Sequence, residues 1–392
     1  MKDVVVIGGG PAGSALGCYL AQAGIECTIY EAVEHPRPHV GESLVTATTR
    51  TLEEIGMLPV MEAEGFVHKY GATWHNYTDD STFSVRFAEV DQPGIEQPYS
   101  YHVDRARFDH LLLQQAERLG AEVRQRTRVR EVLFDGGRAV GVRLADDGGA
   151  DVRCRTVVDA SGRATLLGRQ LGLKAPDPHF DQYAVAGWFE GVDRGPQPET
   201  DYLHAYFLPA RRGWAWQIPI TPTVTSMGVV AEKEVFRNSK RRIDEYFTEQ
   251  VATSPGLARA MRDARMVQGP ITEGDYSYVM RRFAGPGWIL AGDAARFVDP
   301  IFSSGVSVAF ASARSAAEVI AAVRRGEDEA AAIAAYEGRL RAGTEIWYEF
   351  IRIYYKLQVL FTRFIAPRRY RSQLVQLLQG EVYDRAEVPV LA

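Results

Sequence analysis

The chain has 392 residues, 46% of them hydrophobic and 24% charged, with 36 glycines and 19 prolines. That is two or three domains' worth of chain, enough to bury a large core. Forty-five basic residues against 50 acidic ones leave a formal charge of −5, which offers no basic field to a nucleic-acid backbone. The three scattered cysteines, Cys18, Cys27 and Cys154, exclude a disulfide scaffold and form no cluster for zinc, so no metal is expected.

The opening MKDVVVIGGG carries too short an apolar run for a signal peptide. No stretch is read as reaching the ~18 apolar residues of a membrane span, and a cytoplasmic protein is expected. Residues 4–7 are a β-branched run, as in a buried parallel strand. Residues 11–23 carry helix formers with small residues on one side, and 25–30 are a second apolar run ending at Glu31. Together they predict one βαβ unit. Further on, 129–134 and 139–144 flank Asp135-Gly136-Gly137, a hairpin signal. Asp147-Gly148-Gly149 makes the next turn and 152–158 returns as a strand. Residues 175–271, richer in aromatics and turns, predict a mostly antiparallel, separately packed sheet. From 346 to 364, Trp347, Phe350, Ile351, Tyr354, Leu357, Phe361 and Phe364 recur at helical spacing and predict a C-terminal helix.

Gly8-Gly9-Gly10-Pro11-Ala12-Gly13 fits GxGxxG between the first strand and the first helix. Gly8 allows the tight turn, Gly10 lets backbone approach a pyrophosphate, and Gly13 lets helix and strand pack closely. Pro11 and Ala12 open the helix, whose N-terminus offers free N–H groups to phosphates. Glu31 ends the second strand, placed to hydrogen-bond a ribose diol. Later, Trp288-Ile289-Leu290-Ala291-Gly292-Asp293-Ala294-Ala295 reads as an apolar strand, then Gly-Asp, then small residues opening a helix. Asp293 can accept hydrogen bonds from a ribitol hydroxyl, and Gly292 lets a flavin chain pass close. That combination favours FAD over NAD.

With these motifs the chain resembles the flavoprotein monooxygenase superfamily, with its glutathione-reductase-type, Rossmann-like α/β FAD fold. The resemblance extends through Val40-Gly41-Glu42-Ser43, Asp104-Arg105-Ala106-Arg107-Phe108-Asp109 and Val158-Asp159-Ala160-Ser161-Gly162. It implies that Glu42 and Ser43 pass beside the isoalloxazine, that Arg105 and Asp159 belong to the FAD site, and that Asp293 takes the ribitol. Two further stretches narrow the match. Trp214-Ala215-Trp216-Gln217-Ile218-Pro219 fits WxWxIP, and Phe297-Val298-Asp299-Pro300-Ile301-Phe302-Ser303-Ser304-Gly305 fits FxxPxxSxG. Both look like signatures of flavin-dependent halogenases. There Trp214 and Trp216 would stand between flavin and substrate, while Ser303, Ser304 and Gly305 would lie over the flavin and help form a halide site.

The family also needs one lysine remote from the flavin. Lys69, in Gly65-Phe66-Val67-His68-Lys69-Tyr70-Gly71, occupies the matching place. The resemblance implies that FADH2, O2 and chloride or bromide yield hypohalous acid, which Lys69 holds as a chloramine or by hydrogen bonding. A desolvated amine is the more easily deprotonated. The tryptophan-chlorinating branch has a glutamate where this chain has Phe302. Phe302 is similar instead to the branch that halogenates phenols and pyrroles, often tethered to an acyl or peptidyl carrier protein. Candidate bases for a phenol are His68, His75, His102 and His204.

The resemblance implies a discontinuous FAD-binding domain at 1–66, 100–174 and 272–335. An interleaved antiparallel-sheet substrate domain at 67–99 and 175–271 and a helical segment at 336–392 complete it. Pro367-Arg368-Arg369-Tyr370-Arg371 reads as solvated arginines beside a packed apolar stripe, or as a docking surface for an acidic carrier. With no second GxGxxG for NAD(P)H, a separate flavin reductase is expected to supply FADH2. Two other readings stay open: an aromatic monooxygenase or related oxidoreductase in which Lys69 is incidental, and a non-catalytic protein that binds flavin or carrier.

Overall fold

The computed structural model describes the chain apart from residues 146–147, 178, 211, 275–276, 359, 366–367, 384–390 and 392, and the side chains of 363–365 and 368–369. Asp147, Pro367 and the side chains of Phe364, Arg368 and Arg369 lie outside the described residues.

The fold is mixed α/β. Its first sheet runs in the order Ala284–Gly285, Trp288–Leu290, Asp151–Asp159, Lys2–Ile7, Cys27–Tyr30, Glu122–Arg124. All neighbours are parallel except the short pair at 284–290. The hairpin of Val129–Asp135 and Arg138–Leu144 joins the outer end of Asp151–Asp159. The central strand is valine-rich and buried on both faces, as a sheet covered by helices requires. Pro11–Gln22 and Arg105–Leu119 pack together on this sheet, and Ser304–Arg324 lies against Pro11–Gln22.

Register decides where the site lies. Ile7 pairs with both Tyr30 and Asp159, and Asp159 pairs with Leu290. Four parallel strands therefore end side by side, and the loops after them converge at one edge, where open α/β sheets bind their ligands.

The second sheet has seven strands, in the order Arg265–Glu273, Gln182–Glu190, Val224–Glu232, Trp214–Pro219, Leu203–Phe207, Gly71–His75, Thr82–Arg86. It is antiparallel except where Leu203–Phe207 runs parallel to Gly71–His75. Alternation along Trp214–Pro219 sends Trp214, Trp216 and Ile218 into the main core. Ala215 faces a smaller cluster beneath Ile243–Ala252 and Pro255–Ala260. A separate two-stranded pair joins Val67–Lys69 to Ser100–His102.

Three expectations change. The motif Gly292–Ala294 is a single 3-10 turn, and the long helix starts only at Ser304. That helix, Ser304–Arg324, is long and apolar enough to cross a membrane by length and composition, yet most of it is buried inside the fold, as a core helix is. The C-terminal helix begins well before residue 346: Glu329–Leu357 is continuous, with Asp328 capping the Ala331 N–H at 2.7 Å. It breaks at Gln358 (φ 43°, ψ −118°), so Phe361 belongs to a second helix, Leu360–Ile365, followed by Arg368–Gln379.

Candidate active site

The converging loops enclose a cleft of about 560 Å³. Gly8, Gly10, Pro11, Ala12, Glu31, Glu42, Ser43, Arg105, Asp293 and Gly305 all line it. Gly13 stands behind, where a Cβ would lie 1.9 Å from the Gly8 carbonyl oxygen, so helix and strand tolerate only glycine. The position of a Cβ on Gly10 meets nothing nearer than the Arg37 guanidinium at 3.9 Å, and Gly305 meets nothing within 4 Å. That is open space beside two helix N-termini, with a cation at one of them.

Several polar groups along this space carry atoms with no hydrogen-bond partner among the described residues. Glu42 accepts the Gly41 N–H on Oε2 at 2.9 Å, but its Oε1 is buried and unpaired, as is the Ser43 hydroxyl. The Asp293 carboxylate has no hydrogen bond among the described residues, and enclosure in the cleft pushes it up to about 6, against the pull of Arg163 and Arg105. Buried polar atoms are normally paired. Orphaned acceptors and donors around an open glycine cradle therefore fit FAD. Arg105 is itself committed: it grips Asp109 with two bonds of 2.8 and 2.9 Å and donates to the Val40 carbonyl at 2.9 Å, holding the Val40–Ser43 segment in place.

Glu31 and Asp159 serve the backbone more than expected. Glu31 accepts the Gly9 N–H at 2.7 Å and the Val33 N–H at 3.0 Å, which shapes the glycine turn and leaves lone pairs for a ribose. Asp159 does not line the cleft: its two oxygens accept from the Ser161 and Leu167 N–H groups at 2.9 and 2.7 Å. It supports the cleft from behind by holding the Ser161 and Leu167 backbone. Gly292 is likewise just outside the wall.

Trp214 and Trp216 form one side of the cleft, their rings 5.8 Å apart. The Trp216 Nε1–H donates to the Ser226 hydroxyl at 3.0 Å. The Trp214 Nε1–H donates to the Tyr355 hydroxyl at 2.9 Å. Asp299, Ser303, Ser304 and Gly305 line the same cleft. Ser303 has φ +57°, a left-handed conformation costly for a non-glycine residue, immediately before the first turn of Ser304–Arg324. Asp299 accepts the Ile301 N–H at 3.0 Å, and burial pushes it up to about 7.

Lys69 does not line the cleft. It is 2% exposed and donates to the Leu44 carbonyl at 2.9 Å, with the Phe87 ring 5.3 Å away. Desolvation alone lowers it to about 7. Ser100, its partner across the strand pair, and His102 on that strand are buried, and their side-chain polar atoms have no hydrogen-bond partner among the described residues. Of the other histidines, His68 stacks on Tyr99 and pairs with Glu62 on the outer face, and His75 and His204 bond each other at 2.8 Å in the second sheet. Phe302 is buried in an aromatic cluster with Phe350, Tyr354 and Phe361, its ring stacked on Phe350 at 4.2 Å. Arg371 is no solvated arginine: it grips Glu89 and covers Phe83.

Arg37, Asp299 and Tyr355 were not singled out from the sequence. Asp299 stands at an unspecified position of FxxPxxSxG, and Arg37 follows the second strand with no motif around it. Only a third-dimension contact reveals Tyr355. Among the described residues no group of three or more metal-ligating side chains occurs.

Residues 1–346 match the family model described as FAD binding domain. The chain is 43% identical over 410 residues to a 1H-pyrrole-2-carbonyl-(peptidyl-carrier protein) chlorinase of Pseudomonas fluorescens, covering 99% of this chain and 91% of that protein. It is 31% identical over 391 residues to a 1H-pyrrole-2-carbonyl-(peptidyl-carrier protein) brominase of Pseudoalteromonas luteoviolacea, covering 97% and 92%. The solved structure of the flavin-dependent brominase Bmp2 superposes with a TM-score of 0.91 at 30% identity, over 100% of this chain and 96% of that one.

Proposed function

The chain belongs to the FAD-dependent halogenases, and we propose that it chlorinates or brominates an electron-rich ring, a pyrrole before a phenol, carried as a thioester on a peptidyl carrier protein of secondary metabolism. The observation that carries this is the division of the site. Trp214 and Trp216 line the flavin cleft, while Lys69 is buried outside it with its amine lowered to about 7. The carrier-bound pyrrole rests on the two relatives named for that substrate.

When bound, reduced FAD supplies the oxidation FADH2 + O2 + X⁻ + H⁺ → FAD + HOX + H2O. The protein's own residues do the rest. Ser303, Ser304 and Gly305 hold the halide at the N-terminus of Ser304–Arg324, where partial positive charge favours an anion. The two indoles exclude the organic ring from the cleft and let small hypohalous acid through. The neutral amine of Lys69 takes the halogen (RNH2 + HOX → RNHX + H2O), then gives it up to the ring as the ring loses a proton. Around neutral pH the amine is partly unprotonated, which an ordinary lysine is not. Phe302 puts an aromatic ring where a carboxylate would steady a cationic intermediate, which suits a pyrrole whose nitrogen lone pair does that itself. The segments 1–66, 100–174 and 272–335 serve the flavin and 67–99 and 175–271 the substrate, although the long helix Glu329–Leu357 crosses the 335/336 boundary. Electrons come from a separate reductase in the cytoplasm.

The test supplies FADH2, O2, halide and a pyrrolyl thioester on its carrier, with free pyrrole-2-carboxylate alongside. Halogenated carrier-bound product is expected, and oxygenated product formed at the same rate without halide would overturn the proposal. Lys69→Met is expected to lose about 100-fold or more in product while FADH2 oxidation continues. Loss of FAD binding in that variant would make the lysine structural.

A further inference from the structure

We propose that Tyr355 is a positioning residue of halogenation: its hydroxyl fixes the Trp214 indole and the halide-bearing turn in one arrangement by joining Trp214 to Asp299. This rests on the halogenase reading above and adds to it a side chain from the C-terminal helix Glu329–Leu357, which had only a packing or docking role in the sequence.

The direction of the chain of bonds follows from chemistry. An indole N–H only donates, so the Tyr355 oxygen accepts from Trp214, and its own O–H is left to donate to Asp299, whose ionised form only accepts. Trp214 Nε1 lies 2.9 Å from the Tyr355 oxygen, which lies 3.2 Å from each oxygen of Asp299. The three residues are 3%, 7% and 1% exposed, so water does not substitute for any link. Trp214 and Asp299 line the flavin cleft, whereas Tyr355 reaches them from behind.

Each end of the chain controls something. Asp299 also accepts the Ile301 N–H, and so shapes the turn Pro300–Phe302 that delivers Ser303 in its left-handed conformation. At the other end, the two indoles are held differently. Trp216 is fixed within its own sheet by Ser226 on the neighbouring strand. Trp214 depends on a helix 141 residues away in sequence. Tyr354, the preceding residue on that helix, is as deeply buried, but its hydroxyl has no hydrogen-bond partner among the described residues. One of two adjacent buried tyrosines thus uses its oxygen, and it uses it on the wall of the cleft. Without that bond the indole is free to turn, and hypohalous acid formed in the cleft is no longer directed.

Tyr355→Phe removes one oxygen and keeps the ring. In apoprotein labelled with 5-fluorotryptophan, the Trp214 19F resonance (assigned by its loss in Trp214→Phe) is expected to shift or broaden, with the other five unchanged. In the holoenzyme, product per FADH2 consumed is expected to fall about tenfold, with oxidant lost as free hypohalous acid or hydrogen peroxide. The affinity for oxidised FAD should stay within about twofold of wild type. Tyr354→Phe should leave both readouts at wild-type values. An unmoved Trp214 resonance with undiminished product yield overturns the proposal, and so do equal effects from Tyr354→Phe. If wild type yields no halogenated product, the halogenase reading fails, while the fluorine spectrum still decides whether Tyr355 positions Trp214.

Discussion

Lys69 shows what a single residue costs and does. Held at about 7 in the folded chain against an ordinary value of 10.5, it is neutral at high pH in both states. Between about 7 and 10.5 the unfolded chain binds a proton that the native chain does not, so this lysine's contribution to stability rises with pH across that window. Below 7 its burial is a standing destabilisation that levels off at about 5 kcal/mol, at about 1.4 kcal/mol per pH unit of displacement. Lys69→Met should therefore be more favourable relative to wild type at pH 7 than at pH 10. The orphaned Leu44 carbonyl adds an offset that does not change with pH. Urea unfolding of both proteins at the two pH values measures the difference, and a difference that stays flat would mean the amine is not desolvated.

At the scale of elements, the helices after residue 328 are the least legible part of the sequence and the most consequential. The glycine fingerprint, the Gly-Asp turn and the paired tryptophans could be read because their constraints are local: Gly13 answers to the Gly8 carbonyl five residues away. The bonds that set Trp214 could not. Tyr355 meets partners 141 and 56 residues distant, and the helical stripe read between 346 and 364 passes through its neighbour Tyr354 without including it. The break at Gln358 was missed for a similar reason. Aromatic spacing continues smoothly across it, because Phe361 is in the cluster around Phe302 even though it belongs to a separate helix. That cluster carries a prediction. Phe302→Glu, which restores the carboxylate of the tryptophan-chlorinating branch, would bury an ionisable group among Phe350, Tyr354 and Phe361. It should destabilise the protein by about 3 kcal/mol or more, read as a lower urea midpoint, rather than confer activity on tryptophan.

Across the whole molecule, one hydrophobic core runs through both sheets. It contains Val5 and Val158 of the first, Trp214 and Ile218 of the second, and Trp347 and Phe350 of the long helix. The two sheets should therefore melt together: calorimetry of the apoprotein is expected to show one transition, and saturating FAD should raise it without splitting it, adding about 2.7 kcal/mol at a hundredfold excess over Kd. Two resolved peaks would mean that the interleaved segments fold independently. In the sequence the interleaving is an expectation that the family resemblance implies, not one that any local pattern carries. The lateral alignment of Ile7, Tyr30, Asp159 and Leu290 was not legible, because strand register appears only when the strands pair.

The helix Glu329–Leu357 is anchored at its near end to the edge of the flavin sheet. Tyr336 donates to the Leu290 carbonyl at 2.5 Å and Glu337 accepts the Phe283 N–H at 2.5 Å. From Tyr336 to Tyr355 is a rigid rod of roughly 28 Å, set by 1.5 Å per residue. It acts as a gauge between the sheet edge and the tryptophan wall. A single residue inserted anywhere in that span would swing Tyr355 by about 100° around the axis and carry it away from both partners. This stretch must keep its count.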